Sequence, residues 1–217
     1  MHCPNGQFFF IKEKKMKKEE FSVKVLAEVA IFAALAFGLD FFQGAIWKGV
    51  FPNGGSIGLA MVPILIICYR RGFLAGFLCG LILSLVQILG GVYVIQGSGL
   101  ENEFLKVAGP FIQVMLDYVL AYTVVGFTGL FRNSFVKSNH KYLNLSIGVT
   151  VGGLLKYACH VVAGLLFWPG EIFGISGSAY SFIYNGLYCI PNIVISVIII
   201  ILLYKFYPRF FNEKGEE

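Results

Sequence analysis

The sequence predicts an all-α integral membrane protein with six transmembrane helices and both termini on the cytoplasmic side. Three observations predict it. The 217 residues are 57% hydrophobic and only 13% charged, with a mean hydropathy of +0.76, too little charge to cover the surface of a soluble domain. Several apolar runs reach the roughly 20 helical residues that a hydrocarbon core of about 30 Å requires, where a β-barrel would show short alternating segments. Lysine and arginine gather at alternate ends of these runs, as the inside bias of basic residues demands.

Residues 1–20, ending KEKKMKKEE, form a polar cytoplasmic tail. The membrane domain follows over 21–206, and 207–217 form a second cytoplasmic tail. A first span at about 21–42 is retained rather than cleaved, because its apolar run is long and has no clear cleavage site. It carries the row Ala30, Ala34, Gly38, and small residues four apart admit a neighbouring helix. The segment 43–57 (QGAIWKGVFPNGGSI) is an outer loop with the glycines to move. A short second span at about 58–69 ends at Arg70-Arg71, a strong inside marker. The third follows at once, with Gly72, Gly76 and Gly80 in a second small-residue row, and ends near Gly90. An outer loop to about residue 108 contains Tyr93, Glu101, Glu103 and Lys106. The fourth span, about 110–131, carries Asp117, and the basic loop 132–142 lies inside. The fifth runs over about 145–168, an outer Gly/Ser-rich loop spans 169–179, and the sixth runs over about 180–204 before Lys205, Arg209 and Lys214.

The net charge of +5 is distributed by topology rather than as a nucleic-acid footprint. Five cysteines show no paired spacing and mostly lie within apolar runs, which reads as small buried hydrophobes and not as disulfides or a metal site. There is no Walker A, GxSxG or HExxH motif and no paired-carboxylate motif, so neither nucleotide hydrolysis nor metal-assisted chemistry is expected of this chain.

The stretch 156–186, KYACHVVAGLLFWPGEIFGISGSAYSFIYNG, holds the most chemistry. His160, Gly164 and Trp168 recur every four residues and so form one helical stripe. Tyr180 and Asn185 open the next run. Asp117 enters its span from the outside, and a carboxylate within a span is costly and usually functional. At about 1.5 Å per residue these groups all fall within roughly 12 Å of the outer surface. Each also has a bland reading. His160 can be a satisfied core histidine, Trp168 and Tyr180 interfacial belt residues, Asn185 a helix–helix hydrogen bond, and Asp117 a structural partner of Lys156. Together they suggest a pocket for a flat, heteroaromatic, polar-edged ligand. A small membrane enzyme using Asp117 and His160 as acid and base, or a stand-alone carrier, would be the competing readings.

In this order and spacing, LAEVAIFAALAF, FPNGGSI, VPILIICYRRGFLAGFLCG, QVMLDYVLAY, HVVAGLLFW and YSFIYNG resemble the thiamin-specific substrate-binding (S) components of energy-coupling factor (ECF) transporters, the ThiT family of bacteria. The resemblance covers roughly residues 23–206. It implies thiamin as the ligand, bound at the outer side of the cell membrane. It also implies partnership with a transmembrane coupling subunit and two ATPase subunits, and no resident cofactor. His160, Gly164, Trp168, Tyr180 and Asn185 match family binding positions, Asp117 stands where some members have glutamate, and Tyr118 follows it as in the family. Tyr93 matches a tyrosine after the third span, and Ala30 and Ala34 match the docking surface for the coupling subunit. Two family tryptophans are replaced, one by Gly54, with Trp47 available from the same loop, and one by Leu83. On this reading Asp117 complements the thiazolium charge and Trp168 stacks on a ring. His160, Tyr180 and Asn185 hydrogen-bond polar edges, Gly164 leaves room for the ligand, and the 43–57 loop is the lid. Riboflavin or a thiamin precursor is the alternative ligand within the same class.

Overall fold

A computed structural model of the chain describes residues 22–51, 53–92, 94 and 102–211. The expected N-terminal tail and Tyr93 lie outside the described residues. Six helices account for most of the rest: α1 (Val23–Trp47), α2 (Met61–Arg71), α3 (Phe73–Gly90), α4 (Glu103–Lys137), α5 (Lys141–Phe167) and α6 (Gly177–Phe206). All but α2 are long and apolar enough to cross a membrane. A two-stranded hairpin, β1 (Glu171–Ile172) and β2 (Ile175–Ser176), joins α5 to α6. Its turn places Phe173 and Gly174 at φ +54° and +74°, the left-handed pair that tight antiparallel hairpins favour.

Helix limits follow local chemistry. Ser22 caps α1 by accepting from the Val25 N–H at 3.4 Å, and Asn102 caps α4 by accepting from Leu105 at 3.2 Å. The Asn102 cap starts α4 well before residue 110, the expected beginning of the fourth span. α1 runs on to Trp47, beyond the expected limit at 42, so the outer loop is shorter than 43–57. Gly72, at φ +90°, turns the chain between α2 and α3.

α2 has only 11 residues, about 16 Å of helix, too short to span alone. All of its residues except Arg70 are buried, and a helix apolar all round belongs inside a bundle. α4 is not uniformly α-helical. It loosens to π-helix over Met115–Leu120 and tightens to a 3-10 helix over Val124–Phe131. The tightened part lies along α3 through a seam of glycines. A Cβ on Gly126 would meet the Phe77 backbone nitrogen at 2.5 Å, and one on Gly80 or Gly129 would run into the facing main chain at Tyr122 or Phe73. Of the row Gly72, Gly76 and Gly80 read from the sequence, Gly80 thus faces α4, and Gly76 lies against both Gly126 of α4 and Cys68 of α2. Ala30 and Ala34 of α1 are exposed, whereas Ala33 and Ala36 of the same helix are buried.

At the basic end, Glu28 of α1 accepts from both Arg70 and Arg71, with contacts of 2.6–3.1 Å. Arg70 also donates to the Phe210 carbonyl at 3.2 Å. The region from residue 207 therefore begins as a packed turn, with Phe211 buried among Tyr69, Phe135 and Tyr204. Glu28→Gln keeps the shape but removes the charge two guanidiniums share. It is expected to cost about 1–2 kcal/mol, read as a fall of several degrees in the melting temperature of the detergent-solubilised protein; an unchanged Tm would assign the cluster no stabilising part.

Candidate functional site

At the end of the bundle opposite this arginine cluster lies a cavity of about 640 Å³, within the size range that holds small organic ligands. It is walled by α1, α3, α4, α5 and α6 and roofed by residues of the loop from Lys48 to Ala60. Asp117, Tyr118, His160, Gly164, Trp168, Tyr180 and Asn185 all line it. Of the eight ligand-site residues expected from the sequence, only Tyr93 falls outside the described chain.

Asp117 and Tyr118 lie in the π-helical part of α4. Such widened turns recur at functional sites because they swing side chains out of α-helical register. Both oxygens of the Asp117 carboxylate are engaged. His160 Nδ1 lies 3.1 Å from Oδ1, and the Trp168 indole N–H donates to Oδ2 at 3.3 Å. A carboxylate only accepts, so this contact puts a proton on His160 Nδ1. The helical stripe His160–Gly164–Trp168 therefore works as a clamp on a carboxylate from another helix. Trp168 meets Asp117 through its N–H edge.

Asn185 and Gly164 hold the walls. The Asn185 amide donates to the carbonyls of Ser181 and His160 at 2.9 and 3.2 Å, and its Oδ1 accepts from Tyr188 at 2.5 Å. It ties α6 to the very residue of α5 that carries the imidazole. A Cβ on Gly164 would collide with Ser181 Oγ and lie 3.0 Å from Asn185 Nδ2. Besides bordering the cavity, then, this glycine permits the close approach of α5 to α6. Lys156 is 9% exposed and lines the cavity, with Nζ 3.9 Å from the centre of the Tyr122 ring. Among the described residues it has no carboxylate within salt-bridge distance, so the structural pairing with Asp117 is not formed.

The roof is tied down from below. Tyr184 donates to the Gly54 carbonyl and accepts from the Asn53 N–H, both at 2.9 Å. The Asn53 amide donates to the Tyr180 hydroxyl at 2.8 Å. Asn192 accepts from Gly58 N–H at 2.7 Å and donates to the Ser56 carbonyl at 2.8 Å. Trp47 donates to the Ile57 carbonyl at 2.6 Å and packs on Phe51, whose ring meets Tyr184 and Tyr188 edge-on. Trp47 and Gly54 both border the cavity. Leu83 is fully buried in the core instead.

Sequence reasoning missed Asp40, Gln87, Tyr122, Tyr184 and Tyr188, all cavity residues. Asp40 carried a usable signal, a carboxylate inside the first apolar run. Tyr180, Tyr184 and Tyr188 carried another, one helical face repeating every four residues.

The chain matches the family model described as "Thiamine transporter protein (Thia_YuaJ)" over residues 26–212. It is 34% identical over 193 residues to the "Thiamine transporter ThiT" of Bacillus subtilis (strain 168), covering 85% of this chain and 92% of that protein. It is 28% identical over 201 residues to the protein of the same name from Lacticaseibacillus paracasei, covering 88% and 91%. Among solved structures it resembles ThiT from Listeria monocytogenes with a TM-score of 0.67 and 30% identity, covering 87% of this chain and 97% of that one.

Proposed function

The chain belongs to the thiamine transporter (Thia_YuaJ) family, and from that premise we propose that it is the S component of an ECF-type transporter that captures thiamine in the cavity under the Lys48–Ala60 loop. It is a multi-pass membrane transporter protein and not an enzyme. In the proposed cycle the cavity faces outside, and a coupling subunit with two ATPases drives release inward. The exposed Ala30–Ala34 face of α1 docks on that coupling subunit. The basic ends of α2, α4 and α6, opposite the cavity, support this orientation through the inside bias of lysine and arginine.

One observation carries the reading of the site: a carboxylate clamped by an imidazole and an indole within an aromatic, roofed cavity. Thiamine brings a permanent positive charge on one ring and a planar aminopyrimidine with donor and acceptor edges. Asp117 supplies the opposite charge, which acts more strongly in a medium less polar than water. The rings of Trp168, Tyr188 and Trp47 offer faces to a cationic or aromatic ring. His160 Nε2 and the Tyr180 hydroxyl offer hydrogen bonds to the polar edges. Calorimetric titration of ligand-stripped, detergent-purified protein with thiamine and riboflavin in parallel tests this reading. One-to-one thiamine binding in the nanomolar range with no heat from riboflavin is expected, a free energy of about −12 kcal/mol. Riboflavin binding without thiamine binding would overturn it.

A further inference from the structure

The cavity holds a second carboxylate. Asp40, near the end of α1, accepts from Gln43 at 3.2 Å and from the Tyr122 hydroxyl at 3.1 Å through Oδ1, and from Gln87 through Oδ2. Three donors from three helices fix this carboxylate at the wall. Over the ring of the same tyrosine, the Lys156 ammonium sits 3.9 Å from the ring centre. An ammonium over a ring whose hydroxyl is hydrogen-bonded to a carboxylate sits against the negative side of that unit.

We infer that Asp40 determines charge selectivity: acting through Tyr122, it neutralises Lys156, so that Asp117 remains available to a cationic ligand. This rests on the thiamine reading of the cavity. The charge count supports it. Asp40, Asp117 and Lys156 line the interior, and with neutral imidazole at His160 they sum to −1, which one monocation balances. Lys48 also borders the cavity but is exposed, where water screens its charge. Without Asp40 the carboxylate of Asp117 and the ammonium of Lys156 cancel, and the cavity no longer prefers a cation over a neutral ring of the same shape.

Binding of thiamine and of its isostere with a neutral thiophene in place of the thiazolium tests this in Asp40→Asn, Lys156→Met and the double variant. Asp40→Asn should weaken thiamine about tenfold or more while leaving the neutral isostere within about threefold. Adding Lys156→Met should restore thiamine to within about threefold of wild type, because removing both members of the pair returns the interior sum to −1. Equal losses for both ligands in Asp40→Asn, or no rescue by Lys156→Met, would reduce Asp40 to a structural tie and overturn the inference. If wild-type protein fails to bind thiamine, it is the underlying reading that falls.

Discussion

Asp117→Ala is expected to weaken thiamine binding by about 100- to 1,000-fold, the largest loss from any single side chain of the cavity. Two effects add. The ligand loses its opposite charge where the dielectric is low. The His160 Nδ1–H and the Trp168 indole N–H also lose their common acceptor, and buried donors without partners cost about 1–3 kcal/mol each. Part of that second cost falls on the free protein, so the melting temperature should drop modestly as well. Asp117→Asn separates the two effects, because an amide oxygen still accepts one of these bonds while the charge is gone. It should lie between wild type and alanine in affinity and keep most of the thermal stability. Titration calorimetry with melting curves reads both quantities. Thiamine affinity in Asp117→Ala within threefold of wild type would sink the charge role of this carboxylate.

Gly55→Val is expected to speed thiamine release by about 100-fold while leaving the bundle folded. Gly55 sits at φ +117°, where a β-branched residue is strained. A Cβ there would lie 2.6 and 2.7 Å from two atoms of the Tyr188 ring. Valine therefore holds the loop off the tyrosine wall and breaks the nearby contacts of Asn53 and Gly54 with Tyr180 and Tyr184. A roof that no longer seats leaves encounter with the ligand nearly unchanged and acts on dissociation, where most affinity differences between related complexes reside. Stopped-flow tryptophan fluorescence suits the measurement, since both tryptophans of the chain, Trp47 and Trp168, border the cavity. An unchanged dissociation rate would show that the loop does not retain the ligand.

Much of this architecture was legible in the sequence because membrane helices announce themselves by apolar length and basic ends. The stripe from His160 to Trp168 was legible because helical period is a local property. What the stripe grips was not. Asp117 is 43 residues from His160 and 51 from Trp168, and its direction depends on the π-helical turn around it, which no residue pattern in QVMLDYVLAY marks. Asn185 had two readings in the sequence, a ligand contact and a helix–helix hydrogen bond, and its amide does reach the backbone of another helix. Asp40 was overlooked because it stands only two residues before the expected end of the first span, where a carboxylate looks interfacial. The helix runs on to Trp47 and carries it inside.

The glycine seam between α3 and α4 has a mechanical consequence. Where main chain lies against main chain, no side chain can change rotamer to absorb sliding, so the two helices move as one stiff piece. Asp117, Tyr118 and Tyr122 ride on that piece. The roof, by contrast, is fastened by a handful of hydroxyl, amide and indole contacts, which water can replace, and by the ring of Phe51. The molecule is thus divided into an anvil that carries the charged face and a cover held by separate, more exchangeable contacts. Ordering on capture would then fall almost wholly on the cover, which makes the speed of uptake adjustable through the loop without disturbing the groups that recognise the vitamin.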